Sequence, residues 1–294
     1  MPQSSVHEVL TADGYALGAT RFAPETTARG AVLVVSAMGV GQKYYAPFAT
    51  WLAEQGFVVA TFDYRGVGAS RREPLRTLDT DILGWGSQDC AAMVEALAAW
   101  GPPEQPLYWI GHSLGGQILP WVPNWSRLAR VITIAAGSGY WLENTPGLRW
   151  RAWWLWYVAV PLATRIWGYF PGKRLRKVGD LPRGVIEQWR RWCLHPDYAA
   201  GAEGEEARRR YAAVTTPLVS LSFTDDEFMS ARNIESLHGF YRAAPKVMKR
   251  ISPAELGVRR IGHFGFFRPS FEHSLWRGHL LPALAGALPD GLLS

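Results

Sequence analysis

Cysteine is scarce in this chain of 294 residues, which contains only Cys90 and Cys193. Two thiols cannot build the disulfide framework that stabilises small secreted domains, and the N-terminal residues lack the basic and apolar pattern of a secretory signal. We therefore expect a reducing, cytoplasmic compartment. The cysteines and histidines also lack the paired spacing of metal ligands, so we expect no metal site.

Long hydrophobic runs are also missing. In the most aromatic part of the chain, the longest uncharged run has thirteen residues, lies between Arg151 and Arg165, and is interrupted by Pro161. A helix that spans a bilayer needs roughly twenty apolar residues. We therefore expect no transmembrane span.

Positive charge and tryptophan are instead concentrated in one stretch. The net charge of the chain is +6, and residues 145–210 contain thirteen Lys or Arg residues against six acidic ones. The remaining residues hold one more acidic than basic side chain, and seven of the fifteen tryptophans lie in this stretch. This change of composition predicts an insertion over residues 145–212, flanked by core segments 1–144 and 213–294.

Strand and helix patterns alternate along the core segments. Residues 6–10 and 15–22 flank an Ala-Asp-Gly turn and predict a hairpin. A hairpin followed by alternating strands and helices predicts a mostly parallel sheet with helices on both faces. Further strands are predicted over 31–35, 57–62, 107–112, 131–135, 217–223 and 247–251, and helices over 44–55, 85–100, 114–121, 230–241 and 270–281.

The most informative motif is Gly-x-Ser-x-Gly at residues 111–115, directly after a predicted buried strand. A serine hydroxyl is a good nucleophile only when the backbone aims it and a base accepts its proton. A sharp strand–turn–helix connection would lift Ser113 above the sheet edge, and Gly111 and Gly115 leave room for the backbone. The same turn would direct the amide of Leu114 toward an oxyanion. His112 is predicted to face away from this task.

A nucleophilic serine needs a histidine base and an acid that orients the base. His263 lies among glycines in a loop after the last predicted core strand, where it can reach the sheet edge. Three acidic residues follow the strand predicted at 217–223, and we predict Asp226 as the orienting acid, with Asp225 as second choice. The alternative is that these acids only cap the next helix.

The oxyanion needs a second backbone amide besides that of Leu114. The loop at residues 36–41 follows a predicted strand and is rich in small residues, which lets its backbone curl toward Ser113. We predict the amide of Met38 as this second donor.

The order Ser113, Asp226, His263 resembles that of the α/β-hydrolase superfamily, over nearly the whole chain outside the insertion. The motif at 111–116 and the Asp-Tyr-Arg-Gly turn at 63–66 are similar to the branch of serine aminopeptidases and monoacylglycerol lipases, and to uncharacterised bacterial hydrolases. The resemblance implies hydrolysis of an ester or amide through an acyl-enzyme, without a cofactor. Ser36-Ala37 departs from the usual His-Gly of the oxyanion loop.

The resemblance further implies that the insertion after the sixth strand is a helical lid. Its aromatic residues predict an acyl-binding pocket lined by Trp150, Trp153, Trp154 and Trp156. Two alternatives are a patch in transient contact with anionic lipid and a dimer contact. Nucleic acid is not expected, because the basic residues flank an apolar run. A tryptophan-walled pocket with arginine at its rim would suit an apolar substrate that carries an anionic group.

Together these features predict a serine hydrolase that acts on a small-molecule acyl substrate. One alternative is an acyltransferase, in which the acyl group passes to an alcohol or amine instead of water. A second alternative is a binding protein without enzymatic activity, which would keep the pocket but would not need the three residues in this order.

Overall fold

The computed structural model describes residues 2–175 and 178–287. A β-sheet lies at the centre of the fold. Buried apolar residues dominate most of these strands, as the sequence pattern predicts. The strands are β1 Gln3–Leu10, β2 Ala16–Ala23, β3 Ala31–Val35, β4 Val58–Phe62, β5 Leu107–His112, β6 Leu128–Ile134, β7 Tyr169–Phe170, β8 Leu181–Pro182, β9 Leu218–Phe223 and β10 Lys246–Ile251.

An eight-stranded sheet forms in the order β1-β2-β4-β3-β5-β6-β9-β10. The β1–β2 hairpin is antiparallel and joins β4 in an antiparallel pair, while every other neighbouring pair is parallel. The predicted mostly parallel sheet is thus confirmed. The short strands β7 and β8 pair separately, outside this sheet.

Helices cover both faces of the sheet. Successive side chains of a strand point to opposite sides, so a strand whose residues are all apolar needs packing partners on both faces. Val32 and Val34 of β3 pack in one core cluster, and Leu33 and Val35 pack in the other. The helices are α1 Ala46–Glu54, α2 Ile82–Gly84, α3 Ala91–Trp100, α4 Leu114–Gln117, α5 Pro146–Trp154, α6 Val160–Trp167, α7 Arg183–Leu194, α8 Tyr198–Ala202, α9 Gly204–Ala213, α10 Ala231–Gly239, α11 Gly262–Gly265 and α12 Leu281–Ala285.

Several helix bounds differ from the sequence-based prediction. The helix predicted over 114–121 ends at Gln117, and a 3₁₀ turn continues from Leu119 to Trp121, because Pro120 has no amide hydrogen for a helical bond. The helix predicted over 270–281 is a π-helical segment, Glu272–Leu280, followed by α12. The loop predicted around His263 is the single helical turn α11.

The insertion is helical and packs directly on the core. It contains α5 to α9, and a π-helical segment, Leu155–Ala159, joins α5 to α6. The Tyr198 hydroxyl donates to the buried side chain of Gln117, just beyond the Ser113 turn, over 2.8 Å. The Trp192 ring stacks on Trp121 with 5.2 Å between centroids. These contacts hold the insertion over the edge of the sheet that carries the predicted nucleophile.

Candidate active site

Ser113 lies at the tight turn between β5 and α4. Its backbone has φ 51° and ψ −111°, a strained conformation for a residue with a side chain. A Cβ atom on Gly111 would stand 2.2 Å from the carbonyl oxygen of Gly115, and one on Gly115 would stand 2.2 Å from that of Val35. Only glycine therefore allows the backbone to turn this sharply, which explains the motif in steric terms.

His263 and Asp226 form a buried hydrogen-bonded pair. The Nδ1 atom of His263 lies 2.8 Å from Oδ2 of Asp226. The other carboxylate oxygen, Oδ1, accepts hydrogen bonds from the amides of Phe228 and Met229 at 2.8 and 3.0 Å. Because an ionised carboxylate only accepts, the imidazole carries its proton on Nδ1 and leaves Nε2 free to accept another.

The two neighbouring acids hold the backbone of the histidine turn instead of its ring. Asp225 Oδ2 accepts from the amides of Ile261 and Gly262 at 2.8 and 3.1 Å. Glu227 accepts from the amide of His263 at 3.1 Å and pairs with Arg260. All three acids therefore contribute to the position of α11, but only Asp226 bonds to the imidazole.

The Ser113 hydroxyl makes no hydrogen bond to any residue in the ranges 2–175 and 178–287. The bond from Ser113 to His263, which proton transfer requires, is thus not formed in this structure. Such bonds are often long in unliganded sites and shorten when substrate binds.

The two predicted oxyanion donors, the amides of Leu114 and Met38, lie in the turn after β5 and in the loop after β3. The amide of Leu114 is at the first position of α4, where no acceptor within the helix exists. In the loop after β3, the amide of Ala37 donates to the Tyr45 hydroxyl over 2.9 Å. The next amide along, that of Met38, donates to no backbone acceptor within the described ranges, and Met38 lines the cavity described below.

His112, which the sequence places beside the nucleophile, connects three segments of the site. Its Nε2 lies 3.0 Å from the carbonyl oxygen of His263, and its Nδ1 lies 2.8 Å from the Tyr45 hydroxyl. Because a carbonyl only accepts, Nε2 carries the proton and Tyr45 donates to Nδ1. Burial lowers the pKa of His112 well below its usual range, so that the ring is neutral.

This chain of hydrogen bonds joins the oxyanion loop, the nucleophile turn and the histidine turn. Both ring nitrogens of His112 bond to groups other than the serine hydroxyl, and sequence reasoning missed this connecting role. The bonds join residues that are 67 and 151 positions apart, so no local pattern could have indicated them.

A cavity of about 600 Å³ lies between the core and the insertion. Its wall reaches the predicted catalytic residues through Phe228, whose ring centroid is 5.1 Å from that of His263. The lining is mostly apolar: Met38, Gly39, Val40, Gly139, Asn144, Leu148, Arg151, Ala152, Leu155, Trp156, Phe170, Val178, Gly179, Ile186, Trp189, Cys193, Phe228, Met229 and Phe264.

Of the four tryptophans predicted to line the pocket, only Trp156 does so. Trp150 and Trp154 are 72% and 45% exposed, and the Trp150 ring stacks on Trp153 with 5.0 Å between centroids. The helical period explains the difference, because residues 148, 152, 155 and 156 share the inner face, whereas 150, 153, 154 and 157 point away from it. The prediction that Trp150, Trp153 and Trp154 line the pocket is therefore wrong, and these side chains lie on the other faces of this helix.

The outward face of the same helical stretch exposes a row of apolar side chains. Trp150, Trp154, Tyr157, Leu162 and Ile166 are all exposed. None of the helices within the described residues combines the length and apolar character needed to cross a bilayer. Contact of this face with a lipid surface or with a second copy of the chain stays a prediction.

Comparison with known proteins agrees with the fold and the motif. Residues 26–175 match the serine aminopeptidase, S33, family of hydrolases, which is just over half of the chain and includes Ser113. No functionally curated protein matches the chain in sequence.

Solved structures share the architecture at low sequence identity. Est816, described as an N-acyl homoserine lactone degrading enzyme, is 17% identical with a TM-score of 0.60, covering 93% of this chain and all of its own. The Pyrococcus furiosus esterase Pf2001 is 14% identical with a TM-score of 0.60, covering 97% and 91%. XC6422 from Xanthomonas campestris, described as a serine hydrolase without lid, is 15% identical with a TM-score of 0.56, covering 99% and 97%. At such identities the likeness shows the α/β-hydrolase fold alone.

Proposed function

Because the chain belongs to the serine aminopeptidase (S33) family of α/β hydrolases, we propose that it cleaves an ester or amide of an apolar acyl substrate through an acyl-enzyme. The observation that carries this proposal is the buried 2.8 Å bond between His263 and Asp226, at the edge of the sheet where Ser113 occupies its strained turn. Together these residues supply a nucleophile, a base and an orienting acid.

In the first half of the proposed reaction, Ser113 Oγ attacks the carbonyl carbon while His263 Nε2 takes the hydroxyl proton. Asp226 stabilises the imidazolium that forms. The amides of Leu114 and Met38 donate to the negative oxygen of the tetrahedral intermediate. The intermediate collapses as the bond to the alcohol or amine breaks, and this leaving group takes the proton from His263.

In the second half, water enters and loses a proton to His263 Nε2 as it attacks the acyl carbon. A second tetrahedral intermediate uses the same two amides. Its collapse releases the carboxylic acid and returns the proton to Ser113. No cofactor takes part in either half.

The cavity supports the apolar character of the acyl group. Its wall is mostly aliphatic and aromatic, and it extends from Met38 and Phe228 to the inner face of α5 and α7. Apolar surface of a bound chain would thus leave water for a matching wall. We assign the insertion the role of a lid, which bounds this space opposite the sheet edge.

A fluorophosphonate probe tests the nucleophile directly. We expect the wild-type protein to be labelled, Ser113→Ala to show no labelling, and His263→Ala to be labelled much more slowly because the serine loses its base. Ser126→Ala and His273→Ala are matched controls, since both side chains are exposed, and they should be labelled like the wild type. Absence of labelling in the wild type between about pH 6 and 9, where a histidine base can be neutral, would instead support a binding protein.

An acyltransferase differs from a hydrolase in the second half of the reaction. With an activated ester and added acceptor alcohols, a hydrolase releases mainly the free acid, whereas a transferase forms mainly the new ester. Analysis of the products by mass spectrometry separates the two. We expect the free acid to dominate.

A further inference from the structure

Two polar side chains interrupt the otherwise apolar cavity, and neither has a side-chain hydrogen bond or ion pair with any described residue. Among the described residues, Arg151 is the charged one that lines the cavity. Asn144 lines it as well and is buried. A buried amide in an apolar wall is unfavourable unless something bonds to it, whereas the exposed guanidinium is hydrated and is a charge that a ligand can pair with.

Arg151 is available for a ligand. It makes no ion pair or hydrogen bond through its side chain within residues 2–175 and 178–287, whereas the arginines at 190 and 191 of the same insertion bond to Trp156 and Glu203. The side chain is exposed while it also lines the cavity, which places it at the rim. A guanidinium there can pair with a carboxylate through two parallel hydrogen bonds.

Asn144 is available in the same way. Its backbone carbonyl accepts from Arg149 at 3.2 Å, but its side-chain amide has no bond to any described residue. Less than a tenth of the residue is exposed, and it faces the cavity. The amide therefore offers two hydrogen-bond donors and one acceptor to whatever the cavity contains.

The helix geometry brings the two groups toward each other. Asn144 lies two residues before Pro146, where α5 begins, and Arg151 lines the cavity together with Leu148, three residues earlier in the helix. With a rise of 1.5 Å per residue, Arg151 is about 7.5 Å along the axis from Pro146. Side chains of a helix lean toward its N-terminus, and from Arg151 this is the direction of Leu148 and Asn144.

The segment that carries Asn144 is tied to the segment that carries Asp226. The neighbouring Thr145 hydroxyl donates to the Glu227 carbonyl over 3.0 Å, and Glu227 follows Asp226 directly. A substrate that spans the cavity from Phe228, which contacts His263, to the rim would have its carbonyl toward the reacting groups and its far end at the guanidinium.

We propose that the cavity binds acyl substrates that carry a carboxylate on the acyl chain, held by the guanidinium of Arg151 and the side-chain amide of Asn144. The proposal rests on the proposed hydrolase function and specifies its substrate class: monoesters or monoamides of dicarboxylic acids. The apolar wall binds the methylene chain, and the two polar groups distinguish an anionic end from a methyl end.

Binding can be tested without catalysis in a Ser113→Ala background. The probes are monomethyl esters of dicarboxylic acids with four to ten carbons, each matched with the methyl ester of the monocarboxylic acid of the same length, titrated by calorimetry. A charge-assisted pair favours the anionic member by about tenfold or more. We expect this preference at one or more lengths.

The same titrations on further variants locate the preference. Arg151→Met should abolish the preference for the anionic ester and leave the affinity for the neutral ester unchanged. Arg151→Lys should keep part of the preference, and Asn144→Leu should reduce it severalfold. Arg165→Met is the matched control, because this exposed arginine lies on α6 and does not line the cavity. It should keep the full preference.

Equal binding of the two members at every length, or a preference that survives Arg151→Met, would overturn the proposal. Hydrolysis is measured separately, with p-nitrophenyl esters of the monocarboxylic acids and the wild-type protein. Turnover of these neutral esters without any carboxylate preference in binding overturns the substrate class and leaves the hydrolase intact. A carboxylate preference in binding without turnover or probe labelling overturns the hydrolase and leaves the binding site intact.

Discussion

The sheet edge and the insertion face each other across one cavity, but they are built in different ways. At the sheet edge, backbone geometry positions Ser113, and hydrogen bonds between 2.8 and 3.1 Å hold Asp226 and the histidine turn. In the insertion, aromatic rings pack with 5.0 to 5.8 Å between centroids, as between Trp156 and Trp189. Hydrogen bonds impose direction, whereas ring packing imposes mainly volume.

This difference separates two functional tasks. Reaction chemistry requires its groups to be placed within a fraction of an ångström, which directional bonds provide. Binding of an apolar chain requires a space of the right size and tolerates exchange of side chains of similar volume. We therefore expect changes at the sheet edge to lower kcat, and changes in the insertion to raise KM.

The largest expected effect compares two neighbouring acids of the sheet edge. Asp226→Asn places an amide where the imidazole needs an acceptor, so we expect kcat to fall by roughly 10³ to 10⁴. Asp225→Asn keeps an oxygen that can accept from the amides of Ile261 and Gly262, and its kcat should stay within about tenfold of wild type. Ester hydrolysis with circular dichroism as a check of folding measures both. Equal losses would mean that both acids act only by holding the histidine turn.

The next effect concerns the buried bonds around His112. Tyr45→Phe leaves the Ala37 amide and His112 Nδ1 without their partner, which we expect to lower the free energy of unfolding by about 1–3 kcal/mol. Because these bonds link the oxyanion loop to the nucleophile turn, kcat should fall by about tenfold as well, with KM unchanged.

A second buried tyrosine provides the control for this prediction. Among the described residues, the Tyr241 hydroxyl makes only a long 3.5 Å bond, to the Gly116 carbonyl. Tyr241→Phe should therefore change stability by about 1 kcal/mol at most and leave kcat unchanged. If both variants lost the same activity, the chain through His112 would have no positioning role.

A smaller effect distinguishes the two faces of the insertion. Trp156→Phe removes part of the cavity wall, and the loss of about 40 Å² of apolar contact should raise KM for long acyl esters by about fivefold. Trp150→Phe makes the same change on an exposed ring and should leave KM unaltered. Initial rates over a series of p-nitrophenyl esters measure this. A rise in KM for Trp150→Phe alone would place the acyl chain on the outer face.

The smallest effect concerns the charge of Asp13, near the β1–β2 hairpin, which we expect to change the free energy of unfolding and not catalysis. A hydrogen bond from Arg65 lowers the pKa of Asp13 to about 2, whereas the unfolded chain titrates near 4. This carboxylate therefore stabilises the fold above about pH 4, and its contribution is lost as pH falls toward 2. Asp13 is partly exposed, so the contribution is small.

Melting temperatures measure this contribution. Asp13→Asn should melt slightly below the wild type at pH 6, and the difference should close between pH 4 and pH 2. Asp79→Asn is the control, since this exposed carboxylate has no partner among the described residues. A difference for Asp13→Asn that persisted at pH 2 would show that the charge is not its cause.

Much of the fold could be predicted because its signals are local. The apolar run at residues 31–35 coincides with β3, and the strand predicted over 107–112 coincides with β5. Helix ends were less predictable where a proline or a π-helical segment changes the hydrogen bonding, as beyond Gln117 and over Glu272–Leu280. The insertion was predicted from composition, but composition does not say which face of a helix turns inward.

The sequence by itself determined the turn that presents Ser113, because the steric need for glycine at 111 and 115 acts between residues only a few positions apart or on an adjacent strand. It also determined a mostly parallel sheet with helices on both faces. Only the tertiary structure decided that Asp226 meets the imidazole, that His112 bonds to Tyr45, and that Trp156 faces the cavity while Trp150 faces solvent. These outcomes depend on how segments distant along the chain pack together, and that packing is a property of the whole core.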